Sequence, residues 1–318
     1  MKSIINVVSR VPMSIEIPDN ADTYEVVLGP KTVKLTSLRK VFWPDSGFTK
    51  RDLLSYYVRI SAALLPHLKD RAMVMKRYPN GIAGEFFFMK RAPAYRPAWL
   101  KTCSIEHKSG SVIDFPVVQD LPSLLWLVNQ GCIDLNPWYS RCDDTDRPDF
   151  LHFDLDPVPP AAFSEVRQAA LLLRDYFSER KVESFPKTSG SRGIHVYIPI
   201  QRGPLQKEVW AKAKSVAREI AGRHSALLTA EYRIAKRPAG RILIDYNQNA
   251  WGRTLASAYS VRAKPGATVS APMAWTELER NVDLDEFRMT CMPARVTKLG
   301  DLFKGVLGRK RYRLESIA

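Results

Sequence analysis

Cysteines and long apolar runs are scarce in this sequence of 318 residues, and each scarcity excludes a class of protein. The four cysteines form no Cys-x-x-Cys pair, so the sequence indicates neither a zinc knuckle nor a disulfide framework. No apolar run reaches the ~18 residues that a membrane span needs. The apolar N-terminal stretch is interrupted at Ser9, Arg10 and Pro12, too soon for a signal peptide. We therefore expect a protein of the reducing cytoplasm without a membrane anchor.

Acidic residues are also few, with 33 Asp and Glu against 48 Lys and Arg, which gives a net charge of +15. This excess favours polyanionic partners, with nucleic acid the first candidate and an anionic membrane the second. A merely solubilising charge is the third interpretation. The hydrophobic fraction of 45% and the charged fraction of 25% are typical of a globular protein.

The stretch Leu151-His-Phe-Asp-Leu-Asp-Pro157 organises the rest of the chain. It has strand-forming residues and ends at a proline, which cannot donate to a sheet ladder. Side chains alternate along a strand, so Asp154 and Asp156 point the same way. A divalent cation would relieve the repulsion between them, and oxygen ligands suit Mg²⁺ or Mn²⁺. The alternative is an exposed acidic strand end.

Three segments further along could serve the same site. A strand from Arg241 ends in a third acid, Asp245. The small polar loop before the strand that begins near His195 can present Ser189, Ser191 and Arg192 to phosphates, although it lacks the Walker pattern. His195 either donates to the same anion or is a structural histidine. Arg262 and Lys264, two apart on a predicted extended segment, could face one polyphosphate together.

Basic residues near the N-terminus suggest contacts with a nucleic-acid strand. Lys40 and Lys50 lie beside a predicted helix start, where backbone N–H groups favour an anion, unless they form only a solvated basic helix end. Aromatic residues from Phe86 to Phe88 are followed by Lys90 and Arg91, a pattern that fits stacked bases and bound phosphates. Strand alternation predicts that some of these three phenylalanines are buried.

The patterns predict an α/β (α+β) fold. Apolar spacing predicts a helix capped by Thr49 and Asp52, and further helices over 121–129, 163–181 (with Ser164 as N-cap) and 208–224. Short strands are expected at Ser14–Ile17 and Tyr24–Leu28, and a loop over 141–149. We predict an N-terminal strand or hairpin extension over residues 1–30, a catalytic domain over 31–290, and a basic C-terminal tail over 291–318.

Several linked motifs, in this order, resemble the polymerase domain of bacterial ligase D, the end-joining polymerase of the archaeo-eukaryotic primase superfamily. The likeness runs from about Lys34 to Leu278 and includes Phe153-Asp-Leu-Asp-Pro157, Thr188-Ser-Gly-Ser-Arg-Gly-Ile-His195, Leu243-Ile-Asp-Tyr-Asn-Gln-Asn249 and Tyr259-Ser-Val-Arg262. The resemblance implies a primase-like fold, in which a catalytic subdomain like an RNA-recognition motif (RRM-like) packs with a second α/β subdomain.

The resemblance also implies roles for individual residues. The metal-binding acids correspond to Asp154, Asp156 and Asp245, and the triphosphate-binding groups to Ser189, His195 and Arg262. The residues that receive a downstream 5′-phosphate correspond to Lys40 and Lys50. The template-stacking aromatics correspond to Phe87 and Phe88, with nearby basic contacts at Lys76 and Arg77. The implied activity is template-dependent addition of ribo- or deoxyribonucleotides at DNA gaps and breaks, with two Mn²⁺ or Mg²⁺ ions.

Three positions depart from the family pattern. Asn136 replaces a histidine that lies near the incoming nucleotide in the family. Ser37 replaces an asparagine near the 5′-phosphate pocket, and Lys264 stands where arginine is frequent, which loses bidentate geometry. Two alternatives therefore accompany the polymerase hypothesis: a primase-polymerase that starts strands de novo, and a catalytically weak DNA-end-binding module, which Asn136 favours.

The resemblance further implies partners. Double-stranded DNA ends and gaps are the expected ligands, with a Ku-type end-binding protein and a separate DNA ligase as protein partners and no membrane. The expected location is the bacterial cytoplasm, at the nucleoid. The length is too short to include ligase and nuclease modules, and Met1 favours a stand-alone protein over an excised domain.

Overall fold

A computed structural model describes residues 15–107, 109–280 and 282–317. Its strands are β1 (Thr23–Leu28), β2 (Lys31–Thr36), β3 (Val41–Trp43), β4 (Phe48–Thr49), β5 (Met73–Arg77), β6 (Phe87–Met89), β7 (Thr102–Glu106), β8 (Val112–Pro116), β9 (Cys132–Pro137), β10 (Ser140–Arg141), β11 (Asp144–Pro148), β12 (Phe150–Pro157), β13 (Phe185–Thr188), β14 (Ile194–Pro199), β15 (Leu228–Thr229) and β16 (Ile242–Asp245). Its α-helices are α1 (Lys50–Leu68), α2 (Leu121–Asn129), α3 (Phe163–Glu179), α4 (Gln206–Arg223), α5 (Trp275–Glu279) and α6 (Met292–Leu299). The predicted α+β class is confirmed.

The central sheet has five strands in the order β13-β14-β12-β16-β15. β12 is its middle strand and pairs antiparallel with both β14 and β16. Phe153 is fully buried and stacks on Phe177 of α3, 5.7 Å between ring centroids. Because neighbouring side chains on a strand face opposite ways, this packing leaves Asp154 and Asp156 on the other face of β12.

A second sheet, β6-β5-β9, is formed by earlier parts of the chain. The cap predicted for α1 is confirmed: Thr49 and Asp52 form a reciprocal capping box. Tyr57 of α1 donates to the carbonyl of Ile133 on β9 (2.8 Å), and Tyr56 donates to the carbonyl of Tyr259 (2.8 Å). These two bonds tie α1 both to the second sheet and to the segment that carries Arg262.

Three local predictions were wrong. Residues 141–149 are not a loop throughout, because β10 and β11 pair as a hairpin. The N-cap of α3 is Ala162 rather than Ser164, with the Glu165 carboxylate accepting from the Ala162 N–H (3.2 Å). Residues 15–17 form no strand, and Ser14 lies outside the described residues. In the hairpin, pairing between strands overrides the turn propensity of its residues.

The segments predicted as extension and tail both contact the main body. β1 pairs with β2 along its whole length, across the predicted boundary at residue 30. The C-terminal segment contributes Met292, Phe303, Val306 and Ile317 to the buried core. The predicted three-part division itself stays a prediction. In the described part of the chain, no helix has the length and apolarity to cross a membrane.

Candidate active site

Two of the predicted acids face each other across neighbouring strands. Asp154 on β12 lies opposite Asp245 on β16 in the antiparallel register, and Asp156 follows two positions along β12. Asp154 is buried, Asp245 is half-buried and Asp156 is exposed near the end of β12. The structure therefore places the three carboxylates that the sequence singled out on one face of two neighbouring strands.

Crowding makes these carboxylates costly to ionise. Burial raises the pKa of Asp154 to about 6, against the opposing effect of Lys187 and Arg262. Desolvation of the carboxyl, with repulsion from Asp154 and Asp245, raises the pKa of Asp156 to about 7. Burial and Asp154 also raise the pKa of Asp245. A cation beside them would reverse these shifts, because it favours the charged form of each acid.

The three acids offer the type of ligand atom that a metal ion needs, but their side chains do not form a closed metal site. Asp154 Oδ1 is buried without a hydrogen-bond partner, which leaves an oxygen available as a ligand. Among residues 15–107, 109–280 and 282–317, however, no three His, Cys, Asp or Glu side chains converge as a preformed metal site. The acids are suitable ligands for Mg²⁺ or Mn²⁺ once their side chains converge.

The loop between β13 and β14 lies directly against the acid strand. Ser189 Oγ accepts from the backbone N–H groups of Ser191 (3.2 Å) and Gly193 (3.0 Å), which folds the loop back on itself. A Cβ at Gly193 would come within 2.6 Å of the Leu155 carbonyl oxygen and 3.1 Å of Asp156 Oδ1. Ser191 and Arg192 are exposed at the tip, and the positive charge of Arg192 partly offsets the burial and repulsion that raise the pKa of Asp156.

His195 lies near the start of β14, between Lys187 and the acid strand. It is buried, with Nε2 3.2 Å from Asp154 Oδ1 and Nδ1 2.7 Å from Lys187 Nζ. Burial, followed by the charges of Lys187 and Arg262, lowers the pKa of His195 well below its usual range. The imidazole therefore contacts one of the three acids directly, namely Asp154.

Arg262 is held in place from two sides. Its Nε donates to Asp134 Oδ2 (3.1 Å), and its Nη1 donates to the Ser189 carbonyl. Asp134 is buried and also accepts from the Ala263 N–H (3.1 Å). The prediction that Arg262 and Lys264 share an extended segment was wrong: the Lys264 N–H donates to the Arg262 carbonyl (2.8 Å), so the chain turns between them.

Asn136 lies beside this pair on β9. Its side chain is buried, and its Nδ2 donates to the Asp134 carbonyl (3.0 Å). The residue that departs from the family pattern is thus two positions from the partner of Arg262.

The strands β5 and β6 form a ribbon with aromatic and basic side chains. Lys76 pairs with Phe88 and Arg77 with Phe87 in the register. The expectation that some of the phenylalanines are buried was wrong, since Phe86, Phe87 and Phe88 are 50%, 46% and 60% exposed. Lys90, just after β6, is also exposed.

The two faces of this ribbon carry separate aromatic–cationic pairs. Lys76 Nζ lies 4.0 Å from the Phe86 ring centroid and 5.8 Å from that of Phe88, and these two rings meet edge to face. On the opposite face the Arg77 guanidinium lies 5.2 Å from the Phe87 ring. Phe87 and Phe88 therefore do not form one continuous stacking surface.

The predicted phosphate-binding lysines differ in their surroundings. Lys40 is exposed, and its Nζ donates to Asn80 Oδ1 (2.7 Å). Lys50 is buried and donates to the Thr36 carbonyl (2.7 Å); burial, with the charge of Lys40 next, lowers its pKa to about 8. Ser37 follows Thr36 with a φ of 53°, a left-handed conformation that asparagine tolerates better than serine.

Sequence reasoning missed four residues that the structure places here: Asn80, Asp134, Lys187 and Arg237. Arg237 lies in the exposed segment before β16, and its charge partly offsets the burial and repulsion that raise the pKa of both Asp156 and Asp245. The basic run from Arg233 to Arg237 was a signal for it. Lys187 adjoins the Thr188–His195 motif, but no local pattern indicates that a lysine on a strand is fully buried.

Comparison with known proteins shows which class of protein carries this site. A family model described as "LigD, primase-polymerase domain" matches residues 49–303, which include the acids, the 189–193 loop and Arg262. The class is thus that of primase-polymerase domains. Within that class, the chain belongs to the LigD primase-polymerase domain family.

Individual relatives agree with this assignment. The chain is 32% identical over 272 residues to the "Multifunctional non-homologous end joining protein LigD" of Mycolicibacterium smegmatis, with 85% of this chain and 35% of that protein covered. It is 31% identical over 272 residues to the "Bifunctional non-homologous end joining protein LigD" of Bacillus subtilis, with 84% and 43% covered. The chain thus spans less than half the length of either relative.

A solved structure shares the fold. It is titled "Polymerase Domain from Mycobacterium tuberculosis Ligase D in complex with DNA", with a TM-score of 0.79 and 29% identity. The match covers 86% of this chain and 97% of that one. The fold predicted from the motifs is therefore confirmed at the level of the family.

Proposed function

We propose that the protein is a template-dependent nucleotidyltransferase that extends 3′ ends or fills gaps at DNA breaks. The observation that carries this proposal is the group of Asp154, Asp156 and Asp245 on one face of a sheet, with raised pKa values, in a chain of the LigD primase-polymerase family. Carboxylates that are costly to ionise alone become favourable around divalent cations.

The proposed cofactors are two Mn²⁺ or Mg²⁺ ions, with a ribo- or deoxyribonucleoside triphosphate as substrate. Bound between the three acids, the ions would supply Lewis-acid stabilisation of the charge that develops in phosphoryl transfer. The chain's own groups bind and orient the substrate: Ser189 shapes the loop, Arg192 presents charge at its tip, and Asp134 aims Arg262. Lys264 adds a second exposed cation nearby.

The proposed nucleic-acid contacts lie on the second sheet. Phe86, Phe87 and Phe88 expose rings to bases, and the cations beside them can hold phosphates, a combination that suits single strands. Lys40, Lys50 and Ser37 form the proposed pocket for a 5′-phosphate. DNA ends and gaps are thus the proposed substrates, and a Ku-type end-binding protein and a DNA ligase the proposed partners.

A direct experiment tests the activity. The protein is incubated with a gapped, 5′-phosphorylated duplex, Mn²⁺ and nucleoside triphosphates, and extension of the 3′ end is followed. We expect extension by the wild type and by Asp175→Ala, which removes an exposed carboxylate of α3, and none by Asp154→Ala. Absence of extension by the wild type, or undiminished extension by Asp154→Ala, contradicts the proposal.

Asn136 favours a second candidate, a DNA-end-binding module with little catalysis. It places a neutral amide where the family resemblance implies a histidine near the incoming nucleotide. This candidate predicts phosphate-dependent DNA binding without measurable incorporation in the same assay.

A further inference from the structure

Lys187 is a lysine of β13 that is fully buried, with 0% of its surface exposed. Its Nζ has three polar neighbours, namely the Ala256 carbonyl at 2.9 Å, Ser270 Oγ at 2.6 Å and His195 Nδ1 at 2.7 Å. No carboxylate in the described ranges lies within ion-pair distance of this ammonium. Burial of a cation without a direct counter-charge is unfavourable, so the position calls for a functional explanation.

Ala256 and Ser270 define the direction of their hydrogen bonds with Lys187. The Ala256 carbonyl can only accept, and the Ser270 hydroxyl donates its own proton to the Thr188 carbonyl (2.9 Å), so it accepts from Lys187 as well. Burial lowers the pKa of Lys187 well below its usual range, so the contact between Lys187 Nζ and His195 Nδ1 does not by itself define which nitrogen donates. The carboxylate on the Nε2 side of the ring favours the tautomer whose proton lies on Nε2, in which Nδ1 accepts from Lys187.

The Nε2 side of the imidazole faces the acids. Nε2 is 3.2 Å from Asp154 Oδ1, a buried oxygen without an aligned hydrogen-bond partner. At this distance a proton on Nε2 attracts the carboxylate, whereas a lone pair there would repel it. The donor groups of Lys187 and His195 thus point in the same direction, from the buried lysine through the imidazole to Asp154.

We propose that Lys187 is a positioning residue, which holds the His195 imidazole with its Nε2–H towards Asp154 and thereby orients the Asp154 carboxylate for a cation. A partner behind a histidine that fixes its tautomer is a common way to tune a metal site. Here the histidine acts on a carboxylate ligand instead of binding the metal itself. Only the metal-binding consequence of this inference rests on the proposed function.

The tautomer is measured directly in the wild-type protein. Long-range ¹H–¹⁵N spectra of the full chain, labelled in its five histidines, are recorded at pH 8 without metal, and His195 is assigned by its absence in His195→Gln. We expect His195 as a single Nε2–H tautomer. An Nδ1–H tautomer in the wild type overturns the proposal, whatever the variants do.

Two variants separate positioning from structure. Lys187→Met removes the ammonium at similar volume, and Ser270→Ala is the matched control, since it removes another Lys187 partner without touching His195. We expect loss of the single Nε2–H signature in Lys187→Met and its retention in Ser270→Ala. A folded Lys187→Met with the wild-type tautomer contradicts the proposal, and if this variant does not fold, the wild-type spectrum decides.

Metal affinity gives an independent readout. Mn²⁺ binding is followed by electron paramagnetic resonance without nucleotide or DNA. We expect a loss of affinity of about 10–100-fold in Lys187→Met and none in Ser270→Ala. Equal losses in both variants would indicate a merely structural lysine. A wild type that binds no Mn²⁺ would contradict the proposed metal-dependent function, while the tautomer would still decide the role of Lys187.

Discussion

Asn80 Oδ1 accepts a hydrogen bond from Lys40 Nζ over 2.7 Å, so the turn after β5 and the segment after β2 meet at the proposed phosphate pocket. The family resemblance implies an asparagine at this pocket where the chain has Ser37, whose side chain reaches less far. Asn80 brings a carboxamide back to the same neighbourhood from a different part of the chain. It also keeps the flexible Lys40 side chain in one orientation.

We therefore expect Asn80→Ala to reduce the preference for 5′-phosphorylated gaps by about 5–10-fold, the effect of losing roughly one hydrogen bond. The measurement is DNA-binding anisotropy with matched phosphorylated and hydroxyl ends. Ser37→Ala serves as the comparison and should change the preference less. Unaltered discrimination in Asn80→Ala would remove this residue from the pocket.

The acid cluster predicts how the metal-free protein responds to pH. Because the pKa values of Asp154 and Asp156 are raised, ionisation of these two acids destabilises the folded state, whereas their protonated forms do not. Aspartates of the unfolded state already ionise near pH 4. The stability from this cluster is therefore full below about pH 4 and is lost as pH rises through about 6 and 7. Asp156→Asn should raise Tm relative to wild type at pH 8 and much less at pH 5.

Calorimetry at the two pH values checks this, with Asp175→Asn, an exposed carboxylate on α3, as the control. Mn²⁺ at pH 8 should reduce the advantage of Asp156→Asn, because a cation stabilises the ionised wild-type acids. A pH-independent difference in Tm would show that the Asp156 carboxyl is not crowded in the folded state.

The two faces of the β5–β6 ribbon predict a pattern of coupling between phenylalanines. Phe86 and Phe88 share Lys76, whereas Phe87 contacts Arg77 on the other side. Each alanine substitution should weaken binding to a duplex with a single-stranded overhang by ~1–3 kcal/mol if its ring stacks on a base. The double variant of Phe86 and Phe88 should be non-additive, and that of Phe87 and Phe88 additive. Anisotropy titrations measure both cycles, and strong coupling between Phe87 and Phe88 alone would contradict the two-faced arrangement.

Asn136→His tests the residue that departs from the family. An imidazole near the nucleotide can donate to developing negative charge, so we expect incorporation to rise by about 10-fold or more in single-turnover assays. Asn136→Ala is the control for the loss of the amide bond to Asp134. An increase of similar size in Asn136→Ala would assign the effect to release of Asp134 and Arg262 rather than to the imidazole.

A buried ion pair predicts where the fold is most sensitive. Arg71 Nη2 donates to both carboxylate oxygens of Asp149 (2.7 and 2.8 Å), and Arg71 Nη1 donates to the Tyr139 carbonyl (2.7 Å). Both partners are buried, so Asp149→Asn should leave a poorly compensated guanidinium and cost about 3–5 kcal/mol. Denaturant unfolding measures this, with the exposed Asp143→Asn as the comparison. A cost below ~1 kcal/mol would contradict it.

Short-range patterns predicted much of this molecule. The capping box of Thr49 and Asp52 could be predicted because it lies within four residues. The acid strand could be predicted because side-chain alternation puts Asp154 and Asp156 on one side. Asp245 was found because it ends a strand, and the register then places it opposite Asp154. Such features depend on residues that are near in sequence or repeat a simple period.

What the sequence could not show depends on long-range pairing. Arg262 meets Asp134 across 128 positions, and Lys187 meets Ser270 across 83. The hairpin of β10 and β11 consists of residues that favour turns, and only pairing makes them strands. The phenylalanines are all exposed because β6 is an edge strand with three residues, too short to require a buried face.

The contact between Gly193 and β12 has a consequence for any substrate on the loop. Since no side chain can separate the loop from the Leu155 carbonyl, the spacing between the loop and the carboxylates is determined by main-chain contact. Discrimination among mono-, di- and triphosphates would then depend on backbone geometry rather than on an adjustable side chain. Substitutions at the exposed tip, at Ser191 or Arg192, can change charge there while the length of phosphate chain that fits stays the same.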